Sequence, residues 1–190
     1  MSAPQTMTPP QTTIEFNYQG KQVSLPLLQG TENEVAIDVR NLRAQTGLIT
    51  FDPGYANTGS CKSAITFIDG EAGILRYRGY PIEKLAERST FLETAWLLIH
   101  GETPSQPELE SFRAEITRHT LLHENFARFF SALPKDAHPM PVCAAAVAAM
   151  ATFYQEPESD DTIHKTVIRL LAKMPTIAAY SYKHYIGQPN

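Results

Sequence analysis

The chain has 190 residues, enough for one packed domain with an appendage. Hydrophobic residues make up 43%, too large a share for a disordered chain, and a formal net charge of −4 offers nothing to attract nucleic acid or an anionic membrane. Two cysteines, Cys61 and Cys143, cannot build a disulfide framework or a thiolate zinc site, and fit free thiols in a reducing cytoplasm.

Residues 1–11, MSAPQTMTPPQ, lack the basic start and apolar core of a leader and read as a floppy tail. No run approaches the roughly 18 apolar residues that a membrane span needs. Ile14, Phe16 and Tyr18 alternate with polar residues, and Val23, Leu25 and Leu27 repeat the pattern after Gln19-Gly20-Lys21. This predicts a hairpin, with Pro26 placing the second strand at an edge or ending it early. Residues 29–62 read as irregular, punctuated by Gly30, Gly47, Asp52-Pro53-Gly54 and Gly59. A second hairpin is expected from Ile65–Ile68 and Ile74–Tyr77 across Asp69 to Gly73. The chain therefore divides into a β-rich region over 12–62 and a helical body over 63–190.

From Pro81 onward the pattern is helical. Pro81 suits a first helical turn. Thr90 with Glu93, and Ser105 with Glu108, are capping-box pairs, and Gly101 can stop the first of these helices. Phe126, Phe129, Phe130 and Leu133 form an amphipathic segment that Pro134 and Pro139 break. Pro141 to Tyr154 is alanine-rich and almost wholly apolar, which predicts a helix buried on all sides. A helix over 162–174 should bury the stripe Ile163, Val167, Leu170, Leu171 and Met174, and a last helix should run over 176–185 before Gly187 and Pro189. The fold class is mainly α with a small N-terminal β appendage.

One charge pattern stands out. Arg169 and Lys173 are four residues apart on the 162–174 helix, away from its apolar stripe. Like charges so placed cost a few tenths of a kcal/mol in an isolated helix, a cost that an anionic partner reverses; a solvated polar face is the alternative. Arg118-His119-Thr120 ends the Ser105 helix, where basic residues either cap the helix dipole or add a wall to an anion pocket. Tyr154 could stack on a base or serve as an interfacial aromatic. His119 and His123 stand one turn apart, but HTLLHE is not HExxH, and no third metal ligand is evident. No G-x-G-x-x-G, P-loop or G-x-S-x-G motif occurs.

The stretches FDPGYANTGSCKSAITFIDG (51–70), LRYRGYPIEKLAERSTFLETAWLLIHGE (75–102), TRHTLLHENFARFF (117–130) and LLAKMPTIAAYSYKHYIGQP (170–189) resemble citrate synthases of the large bacterial, NADH-sensitive class. The resemblance covers the chain from residue 12 onward. It implies a citrate-synthase-like multi-helical large domain in a two-domain cytoplasmic enzyme built on dimers and assembling further to hexamers. It also implies condensation of acetyl-CoA with oxaloacetate and water to citrate and CoA, no cofactor for catalysis, and allosteric inhibition by NADH.

The resemblance assigns the NADH pocket to Arg118, His119, Thr120, Tyr154, Arg169 and Lys173. Arg118, Arg169 and Lys173 would neutralise phosphate, His119 and Thr120 would hydrogen-bond, and Tyr154 would contact a ring or ribose. Leu121 departs from the methionine that relatives often carry. The family's catalytic motifs, of the G-x-x-H-G-x-A-N and G-H-R-V-Y kind, do not occur in these 190 residues, so no catalytic residue is expected here. A polypeptide carrying the regulatory and assembly portion without the small catalytic domain, inactive alone, is the expectation. The alternatives are a non-catalytic nucleotide-binding or subunit-interaction module, and a methylcitrate synthase relative.

Overall fold

The computed structural model describes residues 12–188. The expected tail over 1–11 and the stop at Pro189 lie outside the described residues. The chain divides into two compact units, one up to Ser63 and one from Ala64.

The first unit is a three-stranded antiparallel sheet in the order β1 (Thr13–Tyr18), β2 (Lys21–Gln29), β3 (Val35–Ile37), followed by helix α1 (Leu42–Thr46). Tyr18 pairs with Lys21 across Gln19 and Gly20, whose φ values of 51° and 76° have the sign pattern of a type I′ turn and match the strands' twist. The register places Phe16 opposite Val23 and Ile14 opposite Leu25, so the predicted alternation shares one face. Val23, Leu25 and Leu42 bury there against Phe16, Tyr18 and Leu48. β3 and α1 lie where the glycines had suggested irregular chain. β3 is only three residues long and exposed along its length, too short for a period-two signal to show. Beyond α1 the loop is ordered by Asp52, whose carboxylate accepts from Thr58 Oγ1 at 2.7 Å and from the amides of Asn57 and Ala56 at 3.0 and 3.1 Å.

The second unit opens with β4 (Thr66–Asp69), β5 (Ile74–Tyr77) and β6 (Tyr80–Pro81). Arg78 and Gly79, with φ of 49° and 87°, form another positive-φ two-residue turn between Tyr77 and Tyr80. The Arg78 guanidinium donates to Leu98 O at 2.7 and 3.3 Å. It thereby caps one of the last carbonyls of helix α3 (Phe91–His100) with a positive charge, as the dipole favours. Pro81 precedes helix α2 (Ile82–Arg88) as its cap rather than sitting in its first turn.

The capping boxes of Thr90 and Ser105 form as predicted, opening α3 and α4 (Gln106–Arg118), and Gly101 closes α3 in the left-handed conformation. Short α5 (Phe126–Ser131) leads to α6 (Pro139–Met150), and α7 (Asp160–Tyr185) follows. Pro139 starts α6 rather than only ending the preceding segment, because a first turn tolerates the missing N–H.

Three helical expectations change. Residues 162–185 form one helix, not two: α7 runs through Pro175, which costs on the order of 3 kcal/mol in a free helix. Packing offsets that cost here, since Ile177 and Ser181 beyond the proline are fully buried. The buried side of α7 is also not the predicted stripe. Ile168, Ala172, Lys173, Ile177 and Ser181 face inward, while Ile163, Leu170 and Met174 are 51%, 37% and 43% exposed. Helix α6 likewise buries one side, through Val142, Cys143, Ala146 and Met150, and leaves Met140 exposed. That side meets Phe126, Phe130 and Ile177 in the main core, where Cys143 Sγ lies 3.2 Å from Ser181 Oγ. Among the described residues no helix is long and apolar enough to cross a membrane.

Asp38 supplies a pH test of the first unit. Hydrogen bonds from the Arg40 side chain, then from its amide, hold the Asp38 carboxyl down at about 2. A depressed carboxyl stabilises the fold fully above its unfolded value of roughly 4 and loses that contribution as pH falls towards 2. Asp38→Asn should therefore lower the thermal midpoint at pH 6, and the gap to the parent should close between pH 4 and 2. A gap independent of pH would contradict this.

Candidate functional site

The C-terminus of α4 is stitched onto α7 by a run of three carbonyls. Lys173 Nζ donates to His119 O at 2.7 Å and to Leu121 O, and Thr176 Oγ1 donates to Thr120 O at 3.0 Å. Lys173 and Thr176 are three apart on α7 and so share a face, which lets them meet consecutive carbonyls of one short segment. The ammonium is almost wholly enclosed, with Lys173 3% exposed. A cation so buried is tolerable only because charge-assisted hydrogen bonds and the negative end of α4 replace its water.

One turn earlier on α7, Arg169 packs its guanidinium over Tyr154, with Cζ 4.4 Å from the ring centroid. Lys173 Nζ lies 5.8 Å from the same centroid. Arg169 Nη2 donates to Glu156 Oε1 at 2.7 Å, while Arg169 Nη1 is buried without a hydrogen-bond partner. The α7 N-terminus is set by Ser159, whose Oγ accepts from the Thr162 amide at 3.1 Å. Lys165 Nζ contacts Asp161 at 2.5 Å, and that bond, ahead of all other causes, raises the Lys165 pKa.

Five of the six residues singled out from sequence thus meet around α7, though through different atoms. Tyr154 and Arg169 meet through side chains, and His119 and Thr120 are tied to α7 through their carbonyls. Lys173, expected as a phosphate group's counter-charge, directs its ammonium at backbone oxygen. Arg118 sits at the exposed end of α4, and its Nε donates to Ala114 O at 3.3 Å within its own helix. His123, weighed as a metal ligand with His119, accepts the Asn125 amide on Nδ1 at 3.2 Å and leans on Phe153. Among the described residues no three His, Cys, Asp or Glu side chains are grouped to hold a metal.

Sequence reasoning missed Thr176 and Glu156. Thr176 was detectable in principle as the i+3 neighbour of Lys173. Glu156 was not, because its partner is thirteen residues away and only the turn between α6 and α7 brings them together.

Residues 54–190 match the sequence profile of the family described as citrate synthase, C-terminal domain. Citrate synthase 1 of Mycobacterium tuberculosis is 50% identical over 180 residues, covering 93% of this chain and 42% of that protein. The citrate synthase of Corynebacterium glutamicum is 45% identical over 177 residues, covering 92% and 40%. The chain spans about two-fifths of the length of these curated relatives. Among solved structures, citrate synthase from Thermotoga maritima aligns with a TM-score of 0.63 at 31% identity, covering 74% of this chain and 36% of that one. A ternary complex of carboxymethyl coenzyme A and oxaloacetate with citrate synthase from Thermoplasma acidophilum aligns with a TM-score of 0.69 at 25% identity, covering 74% and 37%.

The stitch carries a stability prediction. Lys173→Met keeps the length and apolar stem but removes the donors, leaving two carbonyls short of partners at a cost of about 1–3 kcal/mol in urea unfolding. Arg118→Ala, at an exposed helix end, should change stability by no more than about 0.5 kcal/mol. Equal effects of the two would contradict the assigned role of Lys173.

Proposed function

The chain belongs to the citrate synthase family, and from that premise we propose that it serves the condensation of acetyl-CoA with oxaloacetate and water to citrate and CoA. Identity to citrate synthases along almost the whole chain supports this reading over that of a methylcitrate synthase relative. In the Thermoplasma acidophilum relative, a coenzyme A derivative and oxaloacetate are bound together, which supports acetyl-CoA and oxaloacetate as the substrates here. The setting is cytoplasmic, and the subunits form a homo-oligomer, dimer to hexamer.

The part played by residues 1–190 is regulatory and architectural. Neither histidine-bearing catalytic motif of the family is present in them, so on their own they complete no turnover. Their role is to present an allosteric NADH site. Arg169 supplies the guanidinium for a phosphate, Tyr154 the aromatic face, and Arg118, His119 and Thr120 the facing edge. Lys173 joins the two edges through the 119–121 backbone. The observation that carries this reading is the convergence of Tyr154 and Arg169 beside a segment pinned by Lys173. A guanidinium offers phosphate a planar donor fork, and an aromatic face accepts a base or ribose.

NADH titration followed by cofactor fluorescence tests the site, and thiol-reactive detection of CoA tests the chemistry. The purified protein should bind NADH, and Arg169→Ala should weaken binding by about tenfold or more through loss of a charge-assisted contact, and Tyr154→Ala by a similar factor through loss of stacking. It should release no CoA from acetyl-CoA and oxaloacetate. Absence of NADH binding would overturn the regulatory reading, and CoA release would overturn the assignment of catalysis to motifs outside these residues.

A further inference from the structure

We propose that Glu156 is a built-in competitor for the anion site, a carboxylate latched on Arg169 that a ligand's phosphate must displace. The inference rests on the nucleotide-site reading above and adds the device that sets its affinity.

The arrangement has three parts. The guanidinium is fixed: Arg169 sits mid-helix, 13% exposed, with Tyr154 against its face at 4.4 Å. The carboxylate is less confined. Glu156 is 37% exposed and lies on the connection between α6 and α7, outside any helix or strand, so it can swing into water while Arg169 stays in place. The fit is also incomplete. Glu156 Oε1 takes Nη2 at 2.7 Å, while the buried Nη1 has no acceptor. A guanidinium fork is built for two parallel bonds, and a buried donor left empty is costly. A phosphate, with three oxygens and greater charge, can fill both positions where this carboxylate fills one.

Neighbouring cations leave Glu156 as the point of exchange. Lys173 is committed to the carbonyls of His119 and Leu121, and Lys165 is held by Asp161. An arriving anion gains the Arg169 fork by breaking one partly exposed ion pair, whose carboxylate regains water as it leaves. Release of Glu156 also removes one side-chain tie between the 151–159 connection and α7, while Tyr154 on Arg169 and Phe153 in the core keep the segment in place.

The test compares the parent protein, Glu156→Gln, and the double variant Glu156→Gln/Arg169→Gln. Inorganic pyrophosphate is titrated by calorimetry and NADH by fluorescence, with thermal unfolding confirming that each variant folds. Glu156→Gln should bind both ligands roughly three- to tenfold more tightly, the scale of a partly exposed ion pair, and the double variant should lose the gain. Glu156→Asp, which keeps the charge but withdraws it by one methylene, should fall between parent and Gln variant. Tighter pyrophosphate binding without any NADH binding would support the latch and remove the dinucleotide reading. NADH binding that is equal or weaker in Glu156→Gln would overturn the latch and leave the site reading intact. Failure of every protein to bind either ligand would overturn both.

Discussion

The ammonium of Lys173, buried and bonded to the carbonyls of His119 and Leu121, holds the candidate site together. Without it, the end of α4 would present three carbonyls to α7 with only Thr176 to meet them. A positive charge is the natural partner there, because the last carbonyls of a helix carry its negative dipole end. Burying that charge would be prohibitive if it faced hydrocarbon alone; with two of its three donors on carbonyl oxygens and the Tyr154 ring centroid 5.8 Å away, it becomes a specific fastening. Arg118 and His119 therefore have a fixed relation to Tyr154 and Arg169, although they come from segments more than thirty residues apart.

Helix α7 bears most of this arrangement. One side of it buries Ile168, Ala172, Ile177 and Ser181 against the helical core. Adjacent positions on the same helix carry Arg169, Lys173 and Thr176, so the site is referenced directly to the buried core of the unit. The partly exposed Ile163, Leu170 and Met174 form another apolar side of the same helix.

Much of the fold was legible in the sequence where signals were local. Both hairpins were visible because alternation and an X-Gly turn are short-range features, as were the capping boxes of Thr90 and Ser105. The failures were of another kind. Pro175 looked like a break because propensity is local, whereas the packing of Ile177 and Ser181 that carries α7 through it is not. The inward face of α7 was misjudged because the helix is apolar on more than one side, and its periodicity could not say which side had neighbours. For the site, the charge pair Arg169 and Lys173 was legible from i, i+4 spacing. The fate of each charge was not: one faces Glu156, the other meets backbone, and both partners are supplied by tertiary structure.

The central claim is that the Lys173 ammonium is fixed on two backbone carbonyls rather than free in solvent. The most direct measurement is a proton–nitrogen correlation spectrum of lysine side-chain NH3+ groups, with Lys173 assigned by substitution. The account predicts a slowly exchanging Lys173 signal at room temperature, with couplings across hydrogen bonds to the carbonyl carbons of His119 and Leu121. A Lys173 signal that exchanges as fast as those of surface lysines and shows no such couplings would contradict it.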